Sequence, residues 1–435
     1  MKYCVGIDLG STTTKAVVLN EEGKVMGRGI TNSRSNYEVA CEVAVAEALI
    51  NARFGLIEGK LQERGVDEKT RREQLEELEQ GFRLAQYLDQ CNILREEMEP
   101  LTAVAGEPFP EAVGGILTGM EKEASELFGK GSRRKSDFFR DLAGSRYLAM
   151  AEQVAKDMEL SYDQLVGLFD KAILRVENHP SDADAFGRCI RAALSATHFD
   201  SEVFRESVEE AGSLELEQVG SVGTGYGRQT LPFPKEDIRS EILCHGLGAH
   251  AMFPGTRTVL DIGGQDTKAI QVDPQGIVTS FQMNDRCAAG CGRYLGYIAD
   301  EMNLGLHELG PLACKSKRSV KINSTCTVFA GAELRERLSL GEKREDILSG
   351  LHRAIILRAM SLLARSGGVE NEFTFTGGVA KNEAAVGALK KLIFENYGEV
   401  TLNISPDSIY TGALGAAIFS HREWMRSDEE EKVSA

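Results

Sequence analysis

The sequence predicts an α/β protein in which a sheet-forming unit occurs twice and a helical segment interrupts the first copy. Residues 8–15 (DLGSTTTK) and 261–268 (DIGGQDTK) carry aspartate, glycine, threonine and lysine at identical relative positions. Each motif lies between two runs of β-branched and aliphatic residues, which predicts a strand, a tight glycine turn and a second strand. Residues 36–218 differ in composition, since Glu, Lys, Arg, Leu and Gln dominate there and apolar residues recur at helical spacing.

The repeated unit continues beyond each hairpin. A further turn, at residues 20–23 (NEEG) or 273–276 (DPQG), leads into a third strand-like segment. Two similar three-stranded beginnings predict two lobes with a cleft between them. We expect the chain to divide into the first part of an N-terminal lobe at 1–35, a helical insertion at 36–218, the remainder of that lobe at 219–256, a C-terminal lobe at 257–425 and a charged tail at 426–435.

Within the insertion, long charged helices are predicted over residues 58–100 and another helical unit over residues 150–174. A charged helical surface either docks a partner or is simply solvated, and the residues alone leave both uses open. Residues 219–228 (VGSVGTGYGR) mark the return to the α/β body.

Length and charge narrow the class of protein. A chain of 435 residues is too long for one simple core and predicts two or three domains. The formal net charge of -16 repels phosphate backbones and anionic lipids, so we expect neither a nucleic acid nor a membrane as partner. Met1 leads into a strand-like segment and not into a leader peptide, which predicts a cytoplasmic location.

The nine cysteines are scattered along a chain without a secretion signal, which predicts reduced thiols and no disulfide framework. Some of them have no ligand spacing and are expected to be buried apolar fillers: Cys4, Cys41, Cys91, Cys189 and Cys244.

The first motif has the composition of a phosphate-binding turn. Gly10 lets the backbone approach a phosphate, and Lys15 supplies positive charge. Backbone amides for hydrogen bonds come from Ser11, Thr12 and Thr13. The corresponding residues of the second motif are Gly263, Gly264, Thr267 and Lys268. Because the sequence contains no GxxxxGK followed by Ser or Thr, a P-loop site is disfavoured.

Asp8 and Asp261 are expected at the ends of equivalent strands, where their carboxylates suit Mg²⁺, an ion that prefers hard oxygen ligands. A third glycine turn follows the strand-like residues 372–375 and precedes a helical run. We expect it to hold an adenosine through Gly377, Gly378 and Asn382.

Cys287 and Cys326 each stand where a helix is predicted to begin. The helix after Cys287 places apolar residues on one face, namely Tyr294, Leu295, Ile298 and Met302. Free amides and the dipole at a helix N-terminus stabilise thiolates and an anionic iron–sulfur cluster. A cubane needs about four thiolates, so two would come from a second subunit. Two buried core thiols, or a zinc site that uses Cys287 and Cys291, remain open as alternatives.

The three glycine turns, in this order, resemble the phosphate 1, phosphate 2 and adenosine motifs of the acetate kinase, sugar kinase, Hsp70 and actin superfamily. This resemblance implies a duplicated ribonuclease-H-like, two-lobe ATPase with a large helical insertion, which binds ATP and Mg²⁺. A phosphotransferase of the acetate or sugar kinase type has the same hairpins and remains an alternative.

Seven motifs follow one another along the chain: DLGSTTTK, TGYGR, DIGGQDTK, MNDRCAAG, INSTCTVFA, FTGGVAKN and YTGALGAA. In this order they resemble the BadF/BadG/BcrA/BcrD ATPases, which include 2-hydroxyglutaryl-CoA dehydratase activators and benzoyl-CoA reductase ATPase subunits. The similarity implies that Cys287 and Cys326 ligate a [4Fe-4S] cluster shared with a second ATPase subunit, identical or paralogous. It also implies that ATP hydrolysis drives electrons from ferredoxin to acyl-CoA reductase subunits.

The length, the insertion and the GIDLGSTTTKAV beginning are similar to the large benzoyl-CoA reductase ATPase subunit, and a 2-hydroxyacyl-CoA dehydratase activator is the alternative. We expect Gln265 and Asp266 to orient the attacking water, and the resemblance implies that Glu241 lies near the cleft. Position 291 is commonly threonine in the family, so Cys291 is either a buried thiol or another ligand. A role for Cys314 in metal binding is equally open.

Overall fold

The computed structural model describes residues 1–33, 36–129, 132, 138–179, 182, 184–199, 201–225, 231–284, 292–318, 320–322 and 327–434. The chain forms two compact units. One combines Met1–Ser33 with Glu217–Ala435 and contains both sheets, and the other is the helical segment Arg34–Leu216.

The first sheet is a meander extended by one parallel strand. Its strands are β1 (Lys2–Leu9), β2 (Thr13–Asn20), β3 (Val25–Asn32) and β4 (Glu217–Gly225). The first three pair antiparallel, β4 pairs parallel to β1, and the order across the described sheet is β3-β2-β1-β4. The two edge strands, β3 and β4, therefore flank the helical segment in sequence.

The second sheet repeats this plan. Its strands are β5 (Thr258–Ile262), β6 (Thr267–Val272), β7 (Val278–Asn284), β8 (Phe373–Thr376) and β9 (Leu402–Asn403). The order is β7-β6-β5-β8-β9, with an antiparallel β5-β6-β7 meander and parallel β8 and β9. The repeated strand, turn, strand pattern predicted from the sequence is thus confirmed in both sheets.

In its described part the helical unit is built from α1 (Tyr37–Glu63), α2 (Glu68–Ala105), α3 (Phe109–Phe128), α4 (Phe139–Asp157), α5 (Tyr162–Glu177), α6 (Ala185–Ala196) and α7 (Glu202–Ser213). Several helices begin at a side chain that accepts first-turn amide hydrogens, as at Asn36 and Asp67. The helical unit predicted over residues 150–174 is in fact two helices, because Ser161 caps a new one.

The sheet-containing unit also carries helices. They are α8 (Glu241–Met252), α9 (Gly292–Glu301), α10 (Leu306–Cys314), α11 (Thr327–Ser339), α12 (Arg344–Ser366), α13 (Glu383–Tyr397) and α14 (Thr411–Ser434). Short 3₁₀ helices cover Lys235–Asp237, Gly378–Lys381 and Pro406–Tyr410.

One helix in the described part of the chain, α12, is long and apolar enough to cross a membrane, yet 61% of its apolar window is buried inside the structure. Its residues Leu351, Ile355 and Leu363 belong to the core that covers the second sheet. The helix is therefore accounted for as a core helix, and the cytoplasmic location remains a prediction.

Helix α14 crosses β1 and α8 at very short range because glycines stand at the crossing points. A Cβ atom on Gly6 would overlap the backbone of Ala413 and Ala417, and one on Gly415 would overlap the backbone of Cys244. Since the obstructing atoms are backbone atoms, no side-chain rotation relieves the overlap. These glycines fix how closely α14 approaches the first sheet and α8.

The cysteines predicted to be buried fillers are confirmed as such: Cys4, Cys41, Cys91, Cys189 and Cys244. Burial raises the pKa of each of these thiols, to about 12 for Cys41, Cys91 and Cys244. They therefore stay protonated near neutral pH and are poor metal ligands.

Replacing Gly6→Ala should destabilise the sheet-containing unit by about 1–3 kcal/mol or more, because the methyl group meets backbone atoms that cannot rotate away. Urea unfolding measures the change. The control is Gly387→Ala on α13, where an added Cβ meets nothing within 4 Å and a gain of about 0.4–1 kcal/mol is expected. Equal stability of the two variants would contradict the described α14 crossing.

Candidate nucleotide and metal site

Equivalent hairpins place one aspartate and one lysine at the same point of each sheet. In the first sheet Asp8 pairs with Lys15, and in the second Asp261 pairs with Lys268. Both aspartates lie at the C-terminal end of a central strand, one residue before that strand ends. The sequence repeat is therefore a structural repeat, with matching charged pairs.

The turns of the two hairpins face each other. A Cβ atom on Gly264 would lie 2.6 Å from Thr12 Oγ1, and one on Gly10 would lie 3.0 Å from Lys15 Nζ. Ser11 and Thr12 are exposed at their turn, whereas Thr267 is fully buried. Because Gly264 lacks a side chain, the second turn can approach Thr12 of the first turn closely.

Asp8 is buried but only partly satisfied. Its Oδ2 lies 3.6 Å from Lys15 Nζ, while its Oδ1 has no hydrogen-bond partner among the described residues. Buried carboxylate oxygens without partners are uncommon, because losing hydration is costly. This oxygen is therefore available to a cation, and the donor set around it fits the predicted Mg²⁺.

Asp261, by contrast, is surrounded. Its Oδ1 accepts a hydrogen bond from Thr376 Oγ1 (2.8 Å) and lies 3.4 Å from His245 Nδ1, and its Oδ2 lies 3.5 Å from Lys268 Nζ. Burial favours the neutral acid, but His245 and Lys268 outweigh burial and hold the pKa of Asp261 far below its usual range. Asp261 is thus an ionised, tightly held carboxylate.

Lys268 is buried among three carboxylates. Its Nζ lies 2.7 Å from Asp266 Oδ2, 3.0 Å from Glu241 Oε1 and 3.5 Å from Asp261 Oδ2. Burial lowers the pKa of Lys268, but these anions outweigh burial and hold it above its ordinary value. Burial also raises the pKa of Asp266, which Lys268 only partly offsets. The ammonium group therefore neutralises acids from three parts of the fold.

Glu241 and His245 lie one turn apart on α8 and face the first hairpin. Ligand atoms of Asp8, Glu241 and His245 all lie within 4.8 Å of one another, and all three residues are buried. Among the sequence predictions Glu241 was named and His245 was not. The spacing of the pair on a helix was the available signal, since residues four apart share a helix face.

The third glycine turn follows β8 as predicted. Gly377 has a positive φ of 85°, and a Cβ there would overlap the Ile262 carbonyl, so glycine is required. Asn382 caps α13 through its Oδ1, and its Nδ2 lies 3.0 Å from His352 Nε2. Gly378 has open space beside it, and Gln265 is half-buried at the second hairpin turn.

Cys287, Cys291 and Cys326 lie outside the described residues, whereas the helices that follow them are described. The predicted apolar face of α9 is confirmed, because all four of its named residues are buried: Tyr294, Leu295, Ile298 and Met302. Helix α11 begins directly after Cys326, as predicted. Cys314 is exposed.

Helix α9 is joined to the second hairpin turn by its first backbone amides. The N–H of Gly292 donates to the Gly263 carbonyl, and the N–H of Arg293 donates to the Gly264 carbonyl, both at 2.8 Å. The start of α9 is therefore bonded directly to the glycine turn.

A sequence model of the BadF/BadG/BcrA/BcrD ATPase family matches residues 5–420. The (R)-2-hydroxyglutaryl-CoA dehydratase activating ATPase of Acidaminococcus fermentans is 41% identical over 218 residues, covering 50% of this chain and 81% of that protein. A benzoyl-CoA reductase subunit of Thauera aromatica is 31% identical over 237 residues, covering 54% of this chain and 83% of that protein.

Among solved structures, the A. fermentans (R)-2-hydroxyglutaryl-CoA dehydratase component A aligns with a TM-score of 0.55 and 23% identity, covering 98% of this chain and 100% of that one. This likeness and the duplicated sheet order confirm the predicted duplicated α/β fold with a large helical insertion.

Replacing Lys268→Met should lower the free energy of unfolding by about 3–5 kcal/mol at pH 8, because it leaves buried carboxylates without their cation. The uncompensated acids then have pKa values above those of the unfolded chain, so the loss shrinks as the pH falls toward about 4. Urea unfolding at several pH values measures this.

The matched control is Lys24→Met, which removes an exposed lysine paired with Glu22 at 2.7 Å. Its unfolding midpoint should stay unchanged, because solvent screens an exposed ion pair. A pH-independent loss in Lys268→Met would count against the charge explanation and favour simple packing.

Proposed function

The chain belongs to the BadF/BadG/BcrA/BcrD ATPase family, and we propose that it hydrolyses ATP to drive low-potential electrons toward an acyl-CoA-processing partner. Ferredoxin is the proposed electron donor. The electrons pass through a [4Fe-4S] cluster shared by two ATPase subunits, to which each subunit contributes the thiolates matching Cys287 and Cys326.

The observation that carries this proposal is that the two glycine turns meet beside a group of carboxylates, those of Asp8, Glu241, Asp261 and Asp266. Thr12 and Gly264 line the two sides, and the open oxygen of Asp8 lies at the base. A nucleotide phosphate between the turns would receive backbone amides from both and positive charge from Lys15.

Asp8 and Glu241 would hold Mg²⁺, which when bound neutralises phosphate charge. Asp261 is proposed to supply a fixed negative charge beside this metal site, because its partners His245 and Lys268 keep its carboxylate ionised and in place. Gln265, at the turn, is proposed to orient the attacking water together with Asp266.

The remaining predicted contacts are divided between the phosphates and the adenosine of the nucleotide. Amides at the two turns would hold the phosphates, and the third turn would hold the adenosine. The proposed phosphate contacts are Gly10, Ser11, Thr12, Thr13, Lys15, Gly263, Gly264 and Thr267, and the proposed adenosine contacts are Gly377, Gly378 and Asn382. Lys268 is proposed to act through the carboxylates around it.

Coupling between the nucleotide and the cluster is proposed to run through the hydrogen bonds that the first backbone amides of α9 donate to carbonyls of the second hairpin turn. A shift of Gly263 and Gly264 on hydrolysis would pull on Gly292 and Arg293, and with them on the segment that contains Cys287. Lowering a one-electron couple by ~300 mV costs about 7 kcal/mol, a demand that phosphate-bond cleavage can meet.

Two partners are candidates for the electron. The relative named as a dehydratase activator shares 41% identity with the chain, and the benzoyl-CoA reductase relative shares 31%. The higher identity favours a 2-hydroxyacyl-CoA dehydratase, which reverses the preference drawn from length. A benzoyl-CoA-reductase-type complex stays the second candidate, supported by the 83% coverage of that relative.

Replacing Asp8→Asn should lower kcat for ATP hydrolysis by about 100-fold or more, since it removes a charge aimed at the metal and phosphates. Phosphate release by the purified protein measures this. The control is Asp273→Asn in a surface turn, where the Oδ1 that accepts the amides of Gln275 and Ile277 is kept. Phosphate transfer to acetate or a sugar by iron-free protein would instead support a kinase.

Replacing Cys326→Ser should abolish the cluster and leave nucleotide binding intact, because the thiolate is a ligand and lies away from the phosphate turns in sequence. Anaerobic purification with iron, sulfide and zinc analysis and a visible spectrum measures this, and co-purifying proteins identify the partner. Cys189→Ser, at a thiol of the helical unit without ligand spacing, is the control and should keep the cluster. A complete cluster in Cys326→Ser would refute the ligand assignment.

A further inference from the structure

His245 presents one ring nitrogen to the carboxylates proposed to hold the nucleotide's cation. Its Nε2 lies 3.8 Å from Glu241 Oε1, and the ligand atoms of Asp8, Glu241 and His245 lie within 4.8 Å of one another. We infer that His245 is a third ligand of this cation and that the site binds Mn²⁺ more tightly than Mg²⁺. This inference rests on the proposed ATPase function and adds the identity of the preferred ion.

The ring is oriented for such a role. Its other nitrogen, Nδ1, lies 3.4 Å from Asp261 Oδ1. A histidine that binds a metal through one nitrogen commonly has a carboxylate or carbonyl beside the other, which fixes the ring. A Cβ on Gly412 would lie 2.8 Å from His245 Nε2 and 2.9 Å from Asp8 Oδ2. Both atoms therefore lie next to Gly412, at the start of α14.

The distance between His245 and Glu241 suits shared ligation better than a direct hydrogen bond. Two ligands of one ion, each at about 2.1–2.2 Å, lie roughly 3–4.3 Å apart. The 3.8 Å between His245 Nε2 and Glu241 Oε1 falls in that range and is too long for a hydrogen bond. The unpartnered, buried Oδ1 of Asp8 supplies an independent sign that a ligand belongs here.

Charge and chemistry favour one divalent ion with an affinity for nitrogen. Four carboxylates and two lysines leave a formal charge of about −2, which one divalent cation balances when it takes the place of the proton on His245. These carboxylates belong to Asp8, Glu241, Asp261 and Asp266. Mg²⁺ prefers oxygen ligands and bound water, whereas Mn²⁺ also accepts imidazole and stands in the metal series that binds nitrogen more strongly.

Pulsed electron paramagnetic resonance of Mn²⁺ bound to the full-length protein with a non-hydrolysable ATP analogue tests the assignment. Any cluster is kept in its diamagnetic oxidised state, so that Mn²⁺ gives the signal. Wild-type protein labelled with ¹⁵N-histidine should show ¹⁵N coupling to Mn²⁺, which also distinguishes histidine from adenine nitrogen. Absence of that coupling in wild-type protein would overturn the assignment, whatever the behaviour of any variant.

His245→Gln should lose the coupling and weaken Mn²⁺ binding at least about ten-fold, with a smaller effect on Mg²⁺. His250→Gln, further along α8 where the ring packs beside Gly276, is the control and should keep the coupling. ATP hydrolysis is measured on the same preparations. Hydrolysis without histidine coupling overturns the ligand alone, whereas coupling without hydrolysis supports the ligand and overturns the ATPase function.

Discussion

One buried ammonium group, that of Lys268, balances carboxylates that come from α8, from β5 and from the second hairpin turn. In a low-dielectric interior these acids would otherwise take up protons or drive their elements apart. With the lysine in place Asp261 stays ionised, and His245 is held beside it. The geometry around Asp8 therefore depends on a charge that itself lies behind the predicted phosphate turn.

The second hairpin turn has two neighbours at once. On one side Gly264 faces Thr12 of the first hairpin, and on the other the carbonyls of Gly263 and Gly264 accept the first amides of α9. At 2.8 Å these backbone hydrogen bonds have the ordinary geometry of well-formed N–H···O bonds. A ligand that moves the two turns apart or together would therefore displace the start of α9 directly, without an intervening network of side chains.

Sequence patterns predicted the local structure but did not predict which charged side chains meet around Lys268. The paired hairpins followed from identical spacing of Asp8 and Lys15 with Asp261 and Lys268, and the buried cysteines followed from their lack of ligand spacing. The contact of His245 with the second sheet joins segments distant in sequence, so no local pattern predicts it. The split between α4 and α5 was missed because one serine cap outweighs apolar periodicity that continues on both sides.

The helical segment enters the chain between β3 and β4, which form opposite edges of the first described sheet. Three strand spacings, roughly 14 Å, separate those edges, and because β3 and β4 both run parallel to β1, the connection must also return along the length of a strand. Such a crossover needs about a dozen residues or more. A crossover connection of that length could therefore replace all of α1 to α7 without changing the pairing of any strand. The segment is therefore an insertion between two edge strands. Its size can vary among homologous chains while the hairpins and their buried charges stay the same.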